Sequence, residues 1–134
     1  MPAYQAPLIW IVDDDEDDQY LFEAAFRQLI PPVRVKLLSD GEELGPALEQ
    51  SERLPQLIIL DLNMPRLNGF ETLRWLRSQP AYQTLPVVVL STSSQPEDQE
   101  KSLQLGANGF LTKPPSLGDI LTMFGLLAEQ WQLN

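Results

Sequence analysis

Five short apolar runs, separated by segments of helical spacing, constrain the fold of this chain more than any other feature of its sequence. Four runs are rich in Val, Ile and Leu without clean alternation, which is typical of strands buried on both faces of a parallel sheet. The fifth is shorter and less apolar. The runs cover residues 8–12, 33–38, 57–60, 87–90 and 109–111. Strands that alternate with helices predict an α/β fold, a doubly wound five-stranded parallel sheet with helices on both faces.

The segments between the runs carry apolar residues at helical intervals. The last segment has the longest stripe, which comprises Leu117, Leu121, Phe124, Ala128 and Trp131. No internal repeat, low-complexity tract or linker interrupts the pattern, so residues 1–134 are predicted to form one domain.

Capping patterns indicate where helices begin. Ser39 with Glu42, and Ser94 with Glu97, have the spacing of capping boxes, and Ser116 precedes the last helix.

Two of the predicted helices are weak. Gly45 and Pro46 interrupt the second, and a proline inside a helix removes a hydrogen bond and bends the axis. The fourth has few apolar anchors, mainly Leu103 and Leu105, so we expect it to pack loosely and move easily.

The composition excludes several kinds of chemistry and of partner. The sequence contains no cysteine and no histidine, which rules out disulfides, zinc clusters and nucleophiles activated by an imidazole. Acidic residues number 19 against 9 basic ones, and six acids are consecutive at positions 13–18. The acidity is therefore local, and without a basic face we expect no binding to nucleic acid.

The sequence carries no signal for a membrane. No apolar stretch approaches the roughly 20 residues of a transmembrane helix. The N-terminal residues lack the basic and apolar regions of a secretion signal. We therefore expect a cytoplasmic protein without a membrane partner.

Polar residues follow four of the five runs at the ends where ligands bind in open parallel sheets. They are Asp13, Asp14 and Asp15 after the first run, Asp61 and Asn63 after the third, Ser91, Thr92 and Ser93 after the fourth, and Lys113 beyond the fifth. Adjacent strands lie about 4.8 Å apart, so carboxylates that end neighbouring strands can converge on one ion.

The residue types at this edge favour a magnesium ion. Several carboxylates without nitrogen or sulfur partners indicate a hard cation, and Mg²⁺ takes oxygen ligands that include waters and phosphates. A carboxylate beside a metal can accept a phosphoryl group as an acyl phosphate. The metal and a lysine then neutralise the phosphoryl oxygens, and a hydroxyl donates to one of them. The set suits phosphoryl transfer to Asp61.

Simpler interpretations apply to several charged residues. A helix N-terminus favours acidic side chains, which explains Glu16, Asp17 and Asp18 as solvated charges, and Asp15 is expected mainly to cap the first helix. A second solvated face, with partner docking as the less favoured alternative, comprises Arg66, Arg74 and Arg77.

Four motifs resemble, in order and spacing, the receiver domain of two-component response regulators. They are "IVDDDEDD", "LIILDLNMPRLNGFETL", "PVVVLSTSS" and "GANGFLTKP". The resemblance implies a flavodoxin-like sheet of order 2-1-3-4-5, and no output domain is expected after the last helix. A narrower resemblance, carried by "LLSDGEEL" and "WQLN", is to single-domain regulators that partner bacterial phytochrome-type kinases.

The resemblance also implies a role for each residue at the sheet edge. Asp61 is the expected phospho-acceptor. The expected ligands of Mg²⁺ (or Mn²⁺) are Asp13, Asp14, Asp61 and the backbone carbonyl of Asn63. The expected phosphate-binding and switch residues are Ser91, Thr92, Lys113 and Phe110, which lacks the hydroxyl of a switch tyrosine. Asn63 and Ser93 are expected to tune the lifetime of the phosphorylated form.

The function implied is that of a phosphorylation-activated regulator, which catalyses only its own phosphoryl transfer and autodephosphorylation. The expected partners are a sensor histidine kinase and, at a surface formed by the fourth helix, fifth strand and fifth helix, an unidentified downstream protein or a second copy. The alternative is a degenerate or constitutive receiver that acts as an interaction module without phosphorylation.

Overall fold

Five parallel strands form one sheet in the computed structural model, which describes residues 8–29 and 33–132. The strands are β1 (Leu8–Val12), β2 (Arg34–Leu38), β3 (Leu57–Leu60), β4 (Val87–Ser91) and β5 (Gly109–Thr112). Their order is β2-β1-β3-β4-β5, and every adjacent pair is parallel. The predicted fold class and strand order are confirmed, and the strand ends differ from the prediction by at most one residue.

Five α-helices connect and flank the strands. They are α1 (Glu16–Arg27), α2 (Leu44–Gln50), α3 (Gly69–Ser78), α4 (Pro96–Gln104) and α5 (Leu117–Gln130), with 3₁₀ turns at Gly41–Glu43 and Pro80–Tyr82. No helix among the described residues is long and apolar enough to cross a membrane.

Alternate residues of each strand pack into two separate cores, one on each face of the sheet. The first core joins β1, β3 and β4 to α1 and α5, where the rings of Phe26 and Phe124 stack with centroids 4.2 Å apart. The second core joins the opposite faces of the strands to α2 and α3. Of the predicted stripe on α5, Phe124 and Ala128 are buried, but Leu117 is exposed.

The second helix forms despite Gly45 and Pro46, contrary to the interruption that we expected. α2 begins at Leu44, so Pro46 lies in its first turn. A proline there is tolerated because the first N–H groups of a helix have no partner within the helix.

Of the three predicted caps, the one at Ser116 is confirmed, since its side chain accepts from Asp119 N. The Ser39 cap is wrong by one residue because Asp40 caps the 3₁₀ turn instead. The Ser94 cap is also wrong. Gln95 holds the N-cap position, its side chain accepts no capping bond from a described residue, and Pro96 begins the helix.

The fourth helix buries little apolar surface, as its sequence predicted. Its buried residue is Ser102, whose hydroxyl donates to Asp98 O. Leu103 was expected to anchor the helix but is 45% exposed, whereas Leu105, just beyond the helix end, packs partly against the second core.

Candidate functional site

The carboxyl ends of β1 and β3 bring three acids together. Val12 pairs with Leu60 in the sheet, and Asp61 N donates to Val12 O at 2.9 Å. Asp13 and Asp61, the next residues along each strand, therefore lie side by side. Carboxylate oxygens of Asp13, Asp14 and Asp61 all lie within 4.8 Å of one another, as the sequence predicted.

Burial and mutual repulsion disfavour the ionised form of these acids. Asp13 and Asp61 are 2% and 6% exposed, whereas Asp14 is exposed. Burial, together with the charge of Asp13, raises the pKa of Asp61 from 3.8 to about 6. Burial also raises the pKa of Asp13, although Lys113 opposes the shift. An all-oxygen donor set with excess negative charge fits a hard divalent cation.

Gly69 allows α3 to begin directly against Asp61. A Cβ atom at this position would lie 2.5 Å from the carbonyl oxygen of Asp61 and 2.8 Å from Leu62 Cα, both backbone atoms that cannot easily move. Asn68 caps the helix by accepting from Glu71 N, and Glu71 accepts in return from Asn68 N. This capping box was missed, although its Asn-x-x-Glu spacing is visible in the sequence.

Lys113 lies among the acids, and its closest carboxylate was not anticipated. Its Nζ lies 2.7 Å from Asp18 Oδ2, 2.9 Å from Asp13 Oδ2 and 3.7 Å from Asp61 Oδ1. The interpretation of Asp18 as a solvated charge is therefore wrong, whereas Glu16 and Asp17 are exposed as expected. Burial lowers the pKa of Lys113, but the hydrogen bond to Asp18 and the charge of Asp13 raise it more, so the ammonium is firmly charged.

The expected cap of α1 is confirmed. Asp15 accepts from Asp17 N and Asp18 N at 2.9 and 3.1 Å, and these bonds fix the first turn of the helix. Asp13 in turn accepts from Asp15 N at 2.9 Å, which ties the acidic cluster to the same turn.

The loop after β4 is held by its own hydroxyl groups. Ser91 is fully buried as the last residue of the strand, and its Oγ accepts from Ser93 N at 3.1 Å. Ser93 donates to Asp98 Oδ2 at 2.6 Å, while Thr92 is exposed. Phe110 on β5 is half-buried and packs against the second core.

A buried carboxylate outside the acidic cluster was also missed. Asp40 is 6% exposed and accepts from the backbone N–H groups of Glu42, Arg66 and Leu67 at 2.9, 3.1 and 2.9 Å. Burial raises the pKa of Asp40, but these donors outweigh it, so the pKa lies below its ordinary value. Asp40 thereby ties the turn after β2 to the loop between β3 and α3.

Arg77 is not part of a solvated face, contrary to the sequence interpretation. Its Nε and Nη2 donate to Gly106 O at 3.0 and 2.8 Å, and its Nη1 donates to Tyr82 O at 3.0 Å. Gly106 has a φ of +105°, a conformation that favours glycine. Arg66 and Arg74 are exposed as expected.

The fold and the acidic cluster agree with the protein family that matches the sequence. The family described as the response regulator receiver domain matches residues 9–124. The chain belongs to this family. Receiver domains serve two-component signalling, in which they interact with histidine kinases.

Curated relatives include proteins of very different length. Response regulator Rcp1 of Synechocystis sp. is 31% identical over 129 residues, which cover 92% of this chain and 88% of Rcp1. Protein RcaC of Microchaete diplosiphon is 34% identical over 108 residues, which cover 79% of this chain but only 16% of RcaC.

Solved structures give the same result. The phosphorylated cyanobacterial phytochrome response regulator RcpA matches with a TM-score of 0.88 and 32% identity, over 96% of this chain and 95% of that one. The Mn²⁺-bound form of Rcp1 matches with a TM-score of 0.82 and 31% identity, over 93% and 94%. The resemblance to phytochrome response regulators is confirmed.

Proposed function

We propose that this chain is a phosphorylation-activated response regulator that accepts a phosphoryl group on Asp61. The observation that carries the proposal is the cluster of Asp13, Asp14 and Asp61 beside Lys113 at the carboxyl edge of the sheet. In the reaction, a phosphorus–nitrogen bond of a kinase phosphohistidine breaks, a phosphorus–oxygen bond to Asp61 forms, and the imidazole takes up a proton. The chain would catalyse only this transfer and its own dephosphorylation.

The acidic cluster is suited to hold Mg²⁺ or Mn²⁺ during the transfer. Asp13, Asp14 and Asp61 would supply carboxylate oxygens, and Asn63 its backbone carbonyl. The bound ion would neutralise charge on the phosphoryl oxygens. The raised pKa of Asp61 indicates that its ionised carboxylate is disfavoured in the absence of a cation, which a bound ion would reverse.

Lys113 and Ser91 would stabilise the phosphorylated form. Lys113 lies 3.7 Å from Asp61, and its ammonium would pair with a phosphoryl oxygen. Ser91 Oγ accepts a bond from Ser93 N, and its own proton is available to donate to the phosphoryl group. Thr92 and the backbone beside it would move with Ser91 as its hydroxyl turns toward the phosphoryl group.

The residues two places beyond Asp61 and Ser91 would set how fast the phosphate is lost. Asn63 is exposed, and Ser93 is half-buried. Both are near enough in sequence to the acceptor and switch residues to affect the approach of water. Ser93 is also tied to Asp98 at the start of α4, so its movement would release that contact.

The output surface would comprise α4, β5 and α5. Leu103, Leu117 and Leu126 are large exposed hydrophobic residues on these helices, and Leu126 is 62% exposed. A groove of about 380 Å³ on this face includes Leu111, Met123 and Leu126. Phe110 would report the state of the site to α4 through packing, and the face would bind a downstream protein or a second copy.

The test is the intact mass of the protein after incubation with acetyl phosphate, with and without Mg²⁺. We expect one Mg²⁺-dependent phosphoryl addition to the unsubstituted chain and to the Asp119→Asn control, which removes an exposed acid outside the cluster. We expect none in Asp61→Asn. Transfer from a purified histidine kinase would then identify the partner.

The absence of any addition under these conditions would overturn the proposal. The chain would then be a constitutive interaction module. Addition that persists in Asp61→Asn would instead move the acceptor to another residue.

A further inference from the structure

Lys113 is bound most closely by an acid that stands apart from the acidic cluster. Its contact with Asp18 Oδ2 is a hydrogen bond of 2.7 Å, whereas Asp61 Oδ1 lies 3.7 Å away, beyond hydrogen-bond range. The ammonium is thus drawn toward α1 and away from the expected acceptor.

The position of Asp18 is fixed by the helix that carries it. Asp15 accepts from Asp18 N at 3.1 Å and so holds the first turn of α1. The Asp18 side chain is 28% exposed and that of Lys113 11%. A pair this far withdrawn from water is screened less than a surface pair. Asp18 is therefore a genuine competitor for the ammonium.

We propose that Asp18 is a positioning residue that holds the Lys113 ammonium beside Asp13 in the unphosphorylated chain and must release it when Asp61 is phosphorylated. This inference rests on the proposed function. A phosphoryl group brings roughly two negative charges and three strong acceptor oxygens, so it outcompetes a single carboxylate. Asp18 thereby opposes the phosphorylated arrangement, because it holds the ammonium at 2.7 Å while the Asp61 carboxylate, where the phosphoryl group would be attached, lies 3.7 Å away.

Replacing Asp18 should strengthen the binding of a phosphoryl group at Asp61. Asp18→Asn keeps the size of the side chain but removes the charge that competes for Lys113. Asp17→Asn is the matched control, since Asp17 is exposed, lies in the same helical turn and carries the same charge. Asp18→Glu restores the charge. The comparison separates the Lys113 contact from the general field of the acidic run.

The first measurement is the affinity for beryllium fluoride, a tetrahedral phosphoryl analogue, in the presence of Mg²⁺. We expect Asp18→Asn to bind about three- to tenfold more tightly than the unsubstituted chain, because a partly buried ion pair no longer has to be broken. We expect Asp17→Asn to remain within about twofold, since exposed charges are screened. Asp18→Glu should return toward the unsubstituted affinity.

The second measurement needs neither metal nor phosphoryl group. In ¹⁵N-lysine-labelled protein with chelator present, the Lys113 ammonium protons should exchange slowly with water in the unsubstituted chain and in Asp17→Asn. In Asp18→Asn they should exchange faster. This readout reports the ammonium itself and is insensitive to catalysis.

Several results would overturn the inference. Unchanged ammonium exchange in Asp18→Asn would mean that Asp18 does not hold Lys113. Faster exchange with unchanged or weaker analogue binding would mean that the two acceptors do not compete. An unsubstituted chain that binds no analogue and takes no phosphoryl group would overturn the proposed function, and the release step with it, while the ammonium measurement would still decide whether Asp18 holds Lys113.

Discussion

Asp61 and Asp40 are equally buried carboxylates that both contact the segment joining β3 to α3, Asp61 as its first residue and Asp40 from the turn after β2, yet their pKa values move in opposite directions. Burial and the charge of Asp13 raise the pKa of Asp61 to about 6. Asp40 is also buried, but three backbone N–H donors hold its pKa below the ordinary value. A buried carboxylate that accepts several hydrogen bonds stabilises the fold, whereas a buried carboxylate among like charges destabilises it unless a cation binds.

The largest expected effect comes from Gly69, which lets the start of α3 pack against the backbone of Asp61. Gly69→Ala would push a Cβ against the backbone of Asp61 and Leu62. We expect the free energy of unfolding to fall by about 3 kcal/mol in urea titrations. Gly125→Ala in α5 is the matched control, since a Cβ there meets nothing within 4 Å. It should gain about 0.5–1 kcal/mol. Equal stabilities would mean that the close approach at Gly69 is not needed.

Asp40→Asn tests the contact between the turn after β2 and this segment. It removes the charge that the N–H groups of Glu42, Arg66 and Leu67 stabilise, so we expect the free energy of unfolding to fall by about 2 kcal/mol at pH 7. Because the folded-state pKa is lowered, this contribution is present above the unfolded value of 3.8 and is lost as pH falls through the folded-state pKa. The difference between the two proteins should therefore shrink below about pH 4. A constant difference would argue against a charged Asp40.

Asp61→Asn should have the opposite effect on stability. In the metal-free protein at pH 7 we expect a gain of about 1 kcal/mol, since a repelled buried charge is removed. The folded-state pKa of Asp61 is raised, so its stabilising contribution is present below 3.8 and lost as pH rises through about 6. The gain should therefore disappear near pH 4 in urea titrations with chelator. A loss of stability at pH 7 would remove the contrast with Asp40.

The smallest expected effect separates the backbone of Arg66 from its side chain. Arg66→Ala removes the ion pair with Glu42, whose closest atoms are 3.5 Å apart with both side chains largely exposed, but keeps the N–H that donates to Asp40. We expect a change below about 0.5 kcal/mol. A change as large as that of Asp40→Asn would mean that the Arg66 side chain, and not its N–H group, connects the loop between β3 and α3 to the turn after β2.

The fold could be predicted from sequence because β1, β3 and β4 are continuous apolar runs that end at or just before a polar residue. The runs at 8–12 and 57–60 coincide with β1 and β3. Asp13 and Asp61 were brought together as predicted, because the end of a strand is a local property and parallel strands end at one edge.

The capping errors have a local cause. Ser39 and Ser94 both have the spacing of a helix cap, but in each case a neighbouring residue determines where the helix begins. Asp40 accepts hydrogen bonds from three backbone N–H groups, and Pro96 occupies the first helical position. Spacing alone does not rank competing caps, whose energies depend on groups that arrive from elsewhere in the chain.

The sequence by itself determined the order of strands and helices, the three clustered acids and the chemistry open to a chain without cysteine or histidine. Only the tertiary structure decided which charges were paired. Lys113 and Asp18 are 95 residues apart, and Arg77 reaches Gly106 across 29. Apolar periodicity is visible within a few consecutive residues of the sequence. A long charged side chain, in contrast, is either solvated or paired, depending on which groups the fold places within its reach.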